Sequence, residues 1–537
     1  MIIVDPVVLG DVPFTRASPK WVYDRTGTLV EVPANTLGVT YDPADLSKAP
    51  WALLEPAATN HIRNNTMQGA VAGSPGTLPA NWGRSHPATM TYSVLGLGNE
   101  NGIDFIELRI FGTDAGQFVL ELDSQSLTFA GVGDTWAAST FCSLAAGGTE
   151  NIRRLRLRLR EGTASGSFVA DTLTDFAPAI GSLASQRVSC VKSGITDGAE
   201  RVGVQLILDA LGKFDVTLRI GLPQLERDRV TSPIKTFGST VARAGDVVGT
   251  SAGLVYSNVP MAEPPYNVAT TYAKDAAVYD PATKVVYWSM VAGNVGKALS
   301  DPAFWNKRTA INRWAMFDDR NSTQTSNPEE IVAVFSAKAI TQGLFAGAMD
   351  ASEVRVSMTH PTRGLVFSET KSLVLPRSGS SFFGWCFNRL RLRTWFLTLK
   401  LPVFANALVT VTIKKPGGVP KCGMCLLGPT IDIGLSLMDL STELKDYSTT
   451  TFFTDGSSST FERGFSKKMS VDVSVESDRV ETIEDDLIKR RQKTLVFLGS
   501  TMRGDTMLVG RFSSLRKVIN SFPRSKISLQ IDGVLSQ

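Results

Sequence analysis

Several residues in this 537-residue chain have types and spacings that would support chemistry. Gly249-Thr250-Ser251-Ala252-Gly253 matches G-x-S-x-G, the strained strand-to-helix turn that presents a nucleophilic serine to a histidine and an acid. That chemistry needs a strand before the serine and a helix after it. Here only Val247-Val248 precedes, a Pro-rich stretch follows, and His360 is the sole later histidine. The surroundings read as a linker, and no catalytic residue is assigned. Cys422-Gly-Met-Cys425 has C-x-x-C spacing, but a structural zinc site takes four ligands. His61, His86 and His360 supply no second pair, and no thioredoxin-like βαβ pattern surrounds the motif. The two cysteines therefore read as small buried residues at a strand start, with no metal and no cofactor expected. The carboxylates Asp318-Asp319 sit in a loop-like stretch without a testable acid/base arrangement.

Two further sets suit binding rather than catalysis. Arg154, Arg156, Arg158 and Arg160 alternate with Leu155, Leu157 and Leu159, which puts four guanidinium groups on one strand face. Such a stripe would contact anionic sugars, lipid phosphates or acidic neighbours through bidentate pairs. The plainer reading, a solvated face paired to acids on neighbouring strands, is preferred because exposed strand faces are routinely charged. Trp305, Trp288 and Tyr287 are candidates for a glycan platform, since the C–H face of a pyranose packs on an indole ring. The competing reading makes these rings the core of their own segment, which has little else to bury. Both readings stand for the two tryptophans.

The elements that must position these residues are strands. Ile106, Leu108 and Ile110 alternate with Phe105, Glu107 and Arg109, the period of a half-buried strand in an antiparallel sheet. With 43% hydrophobic and 20% charged residues the chain is globular, and it is too long for one core. Its 46 Gly and 26 Pro favour turns and short strands. The expected fold is mainly β: a jelly-roll sandwich over 1–249, a linker at 250–267, a small aromatic β module over 268–310, a second β-sandwich over 311–430, and an α+β domain over 431–537. In the last, Met469, Val471, Val473 and Val475 alternate strictly, and Val480, Ile483, Leu487 and Ile488 fall on one helical face, with Asp478 and Glu481 as its start signal.

The net charge of +4 is too small for a whole-protein nucleic-acid field, so no nucleic acid is expected. No apolar run approaches the roughly 20 residues that span a bilayer, and no membrane insertion is expected. The five cysteines form no disulfide framework, with Cys142, Cys190 and Cys386 standing alone. The N-terminus lacks the basic and apolar regions of a signal peptide, which predicts folding in a reducing cytoplasm.

The stretches FTRASPKWVYDRTGTLVEVPANTLGVTYDP, WALLEPAATNHIRNNT and LPANWGRS resemble the N-terminal region of many tailed-bacteriophage tail and appendage proteins. TLRIGLPQLERDRVTSPIKTFGSTVARAGDVV resembles the end of that same module, which implies a jelly-roll of carbohydrate-binding type. The match departs at Ala242, where the pattern more often has Thr. Segment 272–305 is similar to small chitin-type binding modules at Tyr272, Val278, Tyr287, Pro302 and Trp305, with Asp275 and Ala276 standing where those have a Gly-Asp turn. NRWAMFDDRNSTQT and FERGFSKKMSVDVSV resemble two further stretches of such multi-module phage proteins.

The resemblance implies a virion tail or appendage structural protein, assembled in the host cytoplasm and contacting host-surface glycans. Its implied partners are other tail or neck proteins, copies of itself in a homo-oligomer, and host surface polysaccharide. The alternative is a purely architectural tail decoration, sheath or collar protein with no ligand. A capsule or surface-ester hydrolase is the remote alternative.

Overall fold

The computed structural model describes residues 1–7, 10–123, 128–336, 341–375, 382, 387, 391–437, 440–500, 503–521 and 523–534. Cys386 lies outside them. The fold is mainly β, and the chain divides into two compact units, Pro13–Gly249 and the remainder, Met1–Val12 with Thr250–Gln537.

Pro13–Gly249 is a sandwich of two antiparallel sheets. One sheet orders the strands Met90–Glu100, Ile103–Gly112, Phe214–Arg227, Trp136–Gly147 and Arg187–Lys192. The other orders Phe168–Phe176, Ile152–Gly162, Arg201–Ala210, Gly116–Glu121 and Gly83–Ser85. The alternating sets read from sequence meet between the sheets: Ile106, Leu108 and Ile110 from one, Leu155, Leu157 and Leu159 from the other. The entry and exit of this unit are tied together, because Phe14–Thr15 pairs antiparallel with Val247–Val248.

Beside the apolar core lies a buried ionic cluster. Asp246 accepts from Arg16 Nη1 at 3.1 Å, Lys20 Nζ at 2.7 Å and the Glu55 backbone N–H at 2.8 Å. Glu55 in turn holds Lys20 at 2.9 Å and Arg243 at 2.8 Å, and accepts from the Ser232 N–H and hydroxyl. The Arg16 and Lys20 side chains are 0% exposed and that of Asp246 1%. Burial would raise the Glu55 carboxyl, but Lys20 and Arg243 outweigh it and hold it below the usual carboxylate range. Asn60 and Asn65 extend the network, both donating to the Ile234 carbonyl, while Asn65 Oδ1 accepts from the Thr236 N–H. These side chains come from three of the stretches that carry the phage resemblance, 14–43, 51–66 and 217–248, which meet in one polar clamp.

In the other unit, four sheets bear on function. A six-stranded sheet orders Gly10–Asp11, Gly253–Ser257, Glu330–Ser336, Leu408–Lys414, Glu353–His360 and Gly364–Ser372. Its core shares Phe335, Val356 and Val411 with Leu344, Ala346 and Leu427 of the sheet formed by Phe396–Thr398, Gly343–Gly347 and Met424–Gly428. The strands Ala277–Tyr279, Val285–Ser289 and Trp305–Ala310 form the small aromatic sheet. The C-terminal sheet has eight strands and carries the helix Val480–Lys489.

Three expectations are corrected. Residues 253–257, expected within a linker, form a strand because their unpaired backbone completes the six-stranded sheet beside Glu330–Ser336. Ile2–Val4, expected in the jelly-roll region, lies between Thr430–Asp432 and Leu495–Ser500 of the C-terminal sheet, with Asp5 held by Arg490 Nε at 2.6 Å. The helix buries Val480, Ile483 and Leu487 but leaves Ile488 exposed, and its N-cap is Arg479 without a side-chain cap bond, so Asp478 and Glu481 form no capping box.

Removing Asp246 takes away the carboxylate that pairs with buried Arg16 and leaves Lys20 to Glu55 alone, so Asp246→Ala should lose about 3–5 kcal/mol of stability, measured by denaturant unfolding of the full chain. Survival of wild-type stability would mean the clamp is not structural.

Burial pushes the Tyr23 phenol up to about 12, and its hydroxyl is buried without a hydrogen-bond partner among the described residues. The unfolded tyrosine ionises near pH 10. The native state therefore holds a proton that the unfolded state has lost between those values, and stability falls as pH rises through that window. Tyr23→Phe should flatten this alkaline decline and leave neutral-pH stability unchanged or slightly higher, measured as Tm against pH.

Candidate functional site

The small aromatic sheet divides its side chains by strand phase. Val278, Tyr287, Ser289 and Trp305 share one face, where Tyr272, Val278, Tyr287 and Trp305 form a cluster of their own. Trp305 makes edge contacts with Tyr266 and Tyr272 at 5.6 and 5.4 Å between ring centroids, and its indole N–H donates to the Lys297 carbonyl at 3.1 Å. Asn294, also buried, ties this cluster together by donating to Ser289 Oγ at 3.1 Å. Asp275 takes the left-handed conformation (φ 67°) at the turn where related patterns have glycine, which a short polar side chain tolerates.

The opposite face carries Ala277, Val286 and Trp288. Val286 is buried in the core of the six-stranded sheet, and Ala277 and Tyr279 pack against it. Trp288 lies at the end of its strand, opposite Ala277 and Asn306, and 41% of its surface is exposed. The Arg308 guanidinium stacks over its ring, 4.2 Å from the centroid. Met290, two residues further on, is exposed as well.

The glycan candidates therefore separate. Trp305 and Tyr287 are core rings and offer no open face, which corrects the platform reading for both. Trp288 keeps an open apolar surface beside an Arg308 guanidinium able to donate to hydroxyl oxygens. Arg308 was missed in the sequence. Within WNKRTA the alternation puts Asn306 and Arg308 opposite Trp305 and Lys307, but only the register with Val285–Ser289 shows that this brings Arg308 to Trp288.

The arginine stripe stands on the outer face of its sheet, largely neutralised. Arg156 pairs with Asp209, Arg158 Nε with Asp171 at 2.8 Å, and Arg154 lies 3.9 Å from Asp175. Arg160 donates to the Gly166 carbonyl at 2.8 Å, and both Arg158 and Arg160 lie over the Phe168 ring. Four cations thus share three carboxylates, an arrangement suited to the face of a sheet rather than to capturing an anion.

Other chemistry-bearing residues fall into structural surroundings. Ser251 precedes the strand Gly253–Ser257 instead of a helix, so the elbow geometry is not formed. The His360 ring contacts Thr362 and Phe404. Cys422 and Cys425 are buried, and burial pushes the Cys422 thiol up to about 12 and Cys425 well above its ordinary value, which disfavours a reactive thiolate in either. Burial also raises both Asp318 and Asp319, with Asp318 accepting from the Thr323 hydroxyl at 2.6 Å. Among the described residues, no group of His, Cys, Asp and Glu is arranged to hold a metal ion, and no helix is long and apolar enough to cross a membrane.

No protein-family model matches this chain, and no curated protein matches it in sequence. Solved structures similar to it include the enzymatically active domain of tailspike protein 4 from bacteriophage CBA120, at 13% identity and TM-score 0.20, covering 28% of this chain and 19% of that one. Another is a family 11 carbohydrate-binding module from Clostridium thermocellum in complex with a β-1,3-1,4-mixed-linked tetrasaccharide, at 9% identity and TM-score 0.21, covering 34% and 99%. A third is the tandem CBM22 domain of Paenibacillus barcinonensis Xyn10C, at 9% identity and TM-score 0.19, covering 68% and 98%. This chain thus spans about a fifth of the tailspike domain. Scores this low carry no weight for ligand or activity.

Truncating the core ring should cost far more than truncating the exposed one. Trp305→Ala should lose about 3–5 kcal/mol locally, and Trp288→Ala about 1 kcal/mol or less through its stacked guanidinium. Hydrogen exchange over 272–310 measures both, and equal effects would contradict the division of faces.

Proposed function

We propose that this chain is a structural protein of a tailed-bacteriophage tail or appendage, and that it contacts host-surface glycans through Trp288 and Arg308. The observation that carries the contact is the exposure of Trp288. An indole is a broad apolar surface that a fold normally buries, and its six companion rings in this module, from Tyr266 to Trp305, are buried or half-buried. A pyranose face would stack on the ring while its hydroxyls accept from the Arg308 guanidinium.

Support for a virion role comes from the sequence resemblance, whose residues supply the Arg16–Lys20–Glu55–Asp246 clamp. Those residues specify a fold, and they are silent on ligand. The virion role and the glycan contact accordingly rest on different residues and can fail separately. A single stacked ring gives weak binding, in the millimolar to micromolar range or about −4 to −8 kcal/mol.

A purely architectural subunit is the second reading, favoured by the arginine stripe, whose charges are spent on Asp171, Asp175 and Asp209. A glycan array probed with the full chain separates the two. Binding should appear against at least one bacterial surface polysaccharide, weaken at least tenfold in Trp288→Ala, and weaken less in Arg308→Ala. Binding that survives Trp288→Ala would remove the site, and failure to bind any polysaccharide would make the architectural reading the better one.

A further inference from the structure

Gly364–Ser372 is the outermost strand of the six-stranded sheet, and Phe396–Thr398 is an outer strand of the three-stranded sheet that shares its core. Along Gly364–Ser372, Glu369 stands opposite Val356 and Lys371 opposite Val354, both core residues. The edge strand thus carries a carboxylate and an ammonium at positions whose phase is apolar on its neighbour. Leu373, next in that phase, is buried, and its carbonyl accepts from the Arg393 N–H at 2.8 Å. That bond brings the segment leading into Phe396–Thr398 against the edge strand. A groove of about 530 Å³ lies here, lined by Lys371, Arg393, Trp395, Leu397, Lys400 and Leu498, with Glu369 also in its wall. Its size is that of a small-ligand site.

The charges of this groove are unbalanced. Lys371, Arg393 and Lys400 have no ion pair among the described residues, and Glu369 is the one carboxylate in the lining. The arginine stripe differs, since its cations meet Asp171, Asp175 and Asp209. The Arg393 guanidinium lies over the half-buried Trp395 ring, 4.9 Å from its centroid, and its side-chain N–H groups donate to no described residue. Stacking steadies the planar fork and leaves its donors free. Glu369 is half-buried, and its Oε2 has no hydrogen-bond donor among the described residues. Native folds rarely leave such an oxygen unpaired, so water or a ligand hydroxyl must serve it.

We infer that this groove binds an acidic saccharide. The carboxylate of a uronic-acid residue pairs with the Arg393 fork, with Lys371 and Lys400 at the rim, and the C–H face of its ring rests on the apolar surface of Trp395 and Leu397. An inorganic anion would use the cations and leave the indole and the leucines uncovered. An acyl chain would cover the leucines and leave most of the cations unpaired. A sugar acid engages both, and its hydroxyls suit Glu369. Inward charges on an edge strand also guard against pairing with another sheet, which accounts for Glu369 and Lys371 but not for Arg393, Lys400 or the indole. This groove shares no residue with the Trp288 contact.

Isothermal titration calorimetry on the full chain tests the inference, in a Trp288→Ala background so that the contact proposed above, sound or not, does not enter. Oligomers of galacturonate, glucuronate and mannuronate are the probes, with their methyl esters and polyphosphate as controls. At least one acidic oligomer should bind. Esterifying its carboxylates, Arg393→Gln, or Lys371→Gln/Lys400→Gln should each weaken binding by about tenfold or more. Both lysines are exposed, so the double variant probes binding without threatening the fold. Trp395→Ala should weaken the acidic oligomer by a similar factor and leave any binding of polyphosphate unaltered. No binding of any acidic oligomer, a methyl ester that binds as tightly as its acid, or polyphosphate that matches the sugar would each overturn the inference.

Discussion

Two carboxylates taken out of water constrain the organisation of the Pro13–Gly249 unit. Asp246 and Glu55 are buried against Arg16, Lys20 and Arg243, residues drawn from the beginning and the end of the unit. Desolvating a charge costs several kcal/mol, and mutual attraction offsets that only when geometry and hydrogen bonding are nearly complete. Here they are, since Asp246 also takes the Glu55 N–H and Glu55 takes two donors from Ser232. Hydrophobic residues would hold the segments together without fixing their register. An ionic cluster of this kind admits one arrangement, because any slip leaves a charge buried alone.

That constraint explains which parts of the fold were legible. The strands around the apolar core could be read directly, because a half-buried strand must alternate; Ile106, Leu108, Ile110 and Leu155, Leu157, Leu159 do so and meet between the sheets. Arg16, Lys20, Glu55 and Asp246 look like ordinary surface residues in isolation, and the bonds that bring Asp246 to the other three join residues some 190–230 positions apart. Resemblance marked those stretches without saying what they do. Ile2–Val4 illustrates the same limit in backbone form. Three apolar residues suit any strand, and their place beside Leu495–Ser500 is decided by an open sheet edge at the other end of the sequence.

The candidate site was half legible for a related reason. In Tyr287-Trp288 the strand phase requires one ring on each side of the sheet. Which ring is covered depends on what lies against each face. Both faces of this small sheet are packed, one by Trp305 and Tyr272, the other through Val286 against a neighbouring core. Trp288 shares that second face but keeps an exposed ring, with the Arg308 guanidinium over it. The arginine stripe shows the converse case: its phase was readable, and its neutralisation by Asp171, Asp175 and Asp209 depended on strand order.

A shallow site of this kind changes its meaning with copy number. One indole and one guanidinium give an affinity too weak to hold a particle to a surface, whatever the sugar. Several such sites on one rigid assembly convert each later contact into an intramolecular step, and overall avidity then exceeds single-site affinity by orders of magnitude if the spacing permits joint engagement. An open Trp288 on an isolated chain is a marginal binder, whereas on an ordered array it becomes an adhesive surface. The number and spacing of Trp288 sites therefore bear on the sugar-binding reading as much as the single contact does.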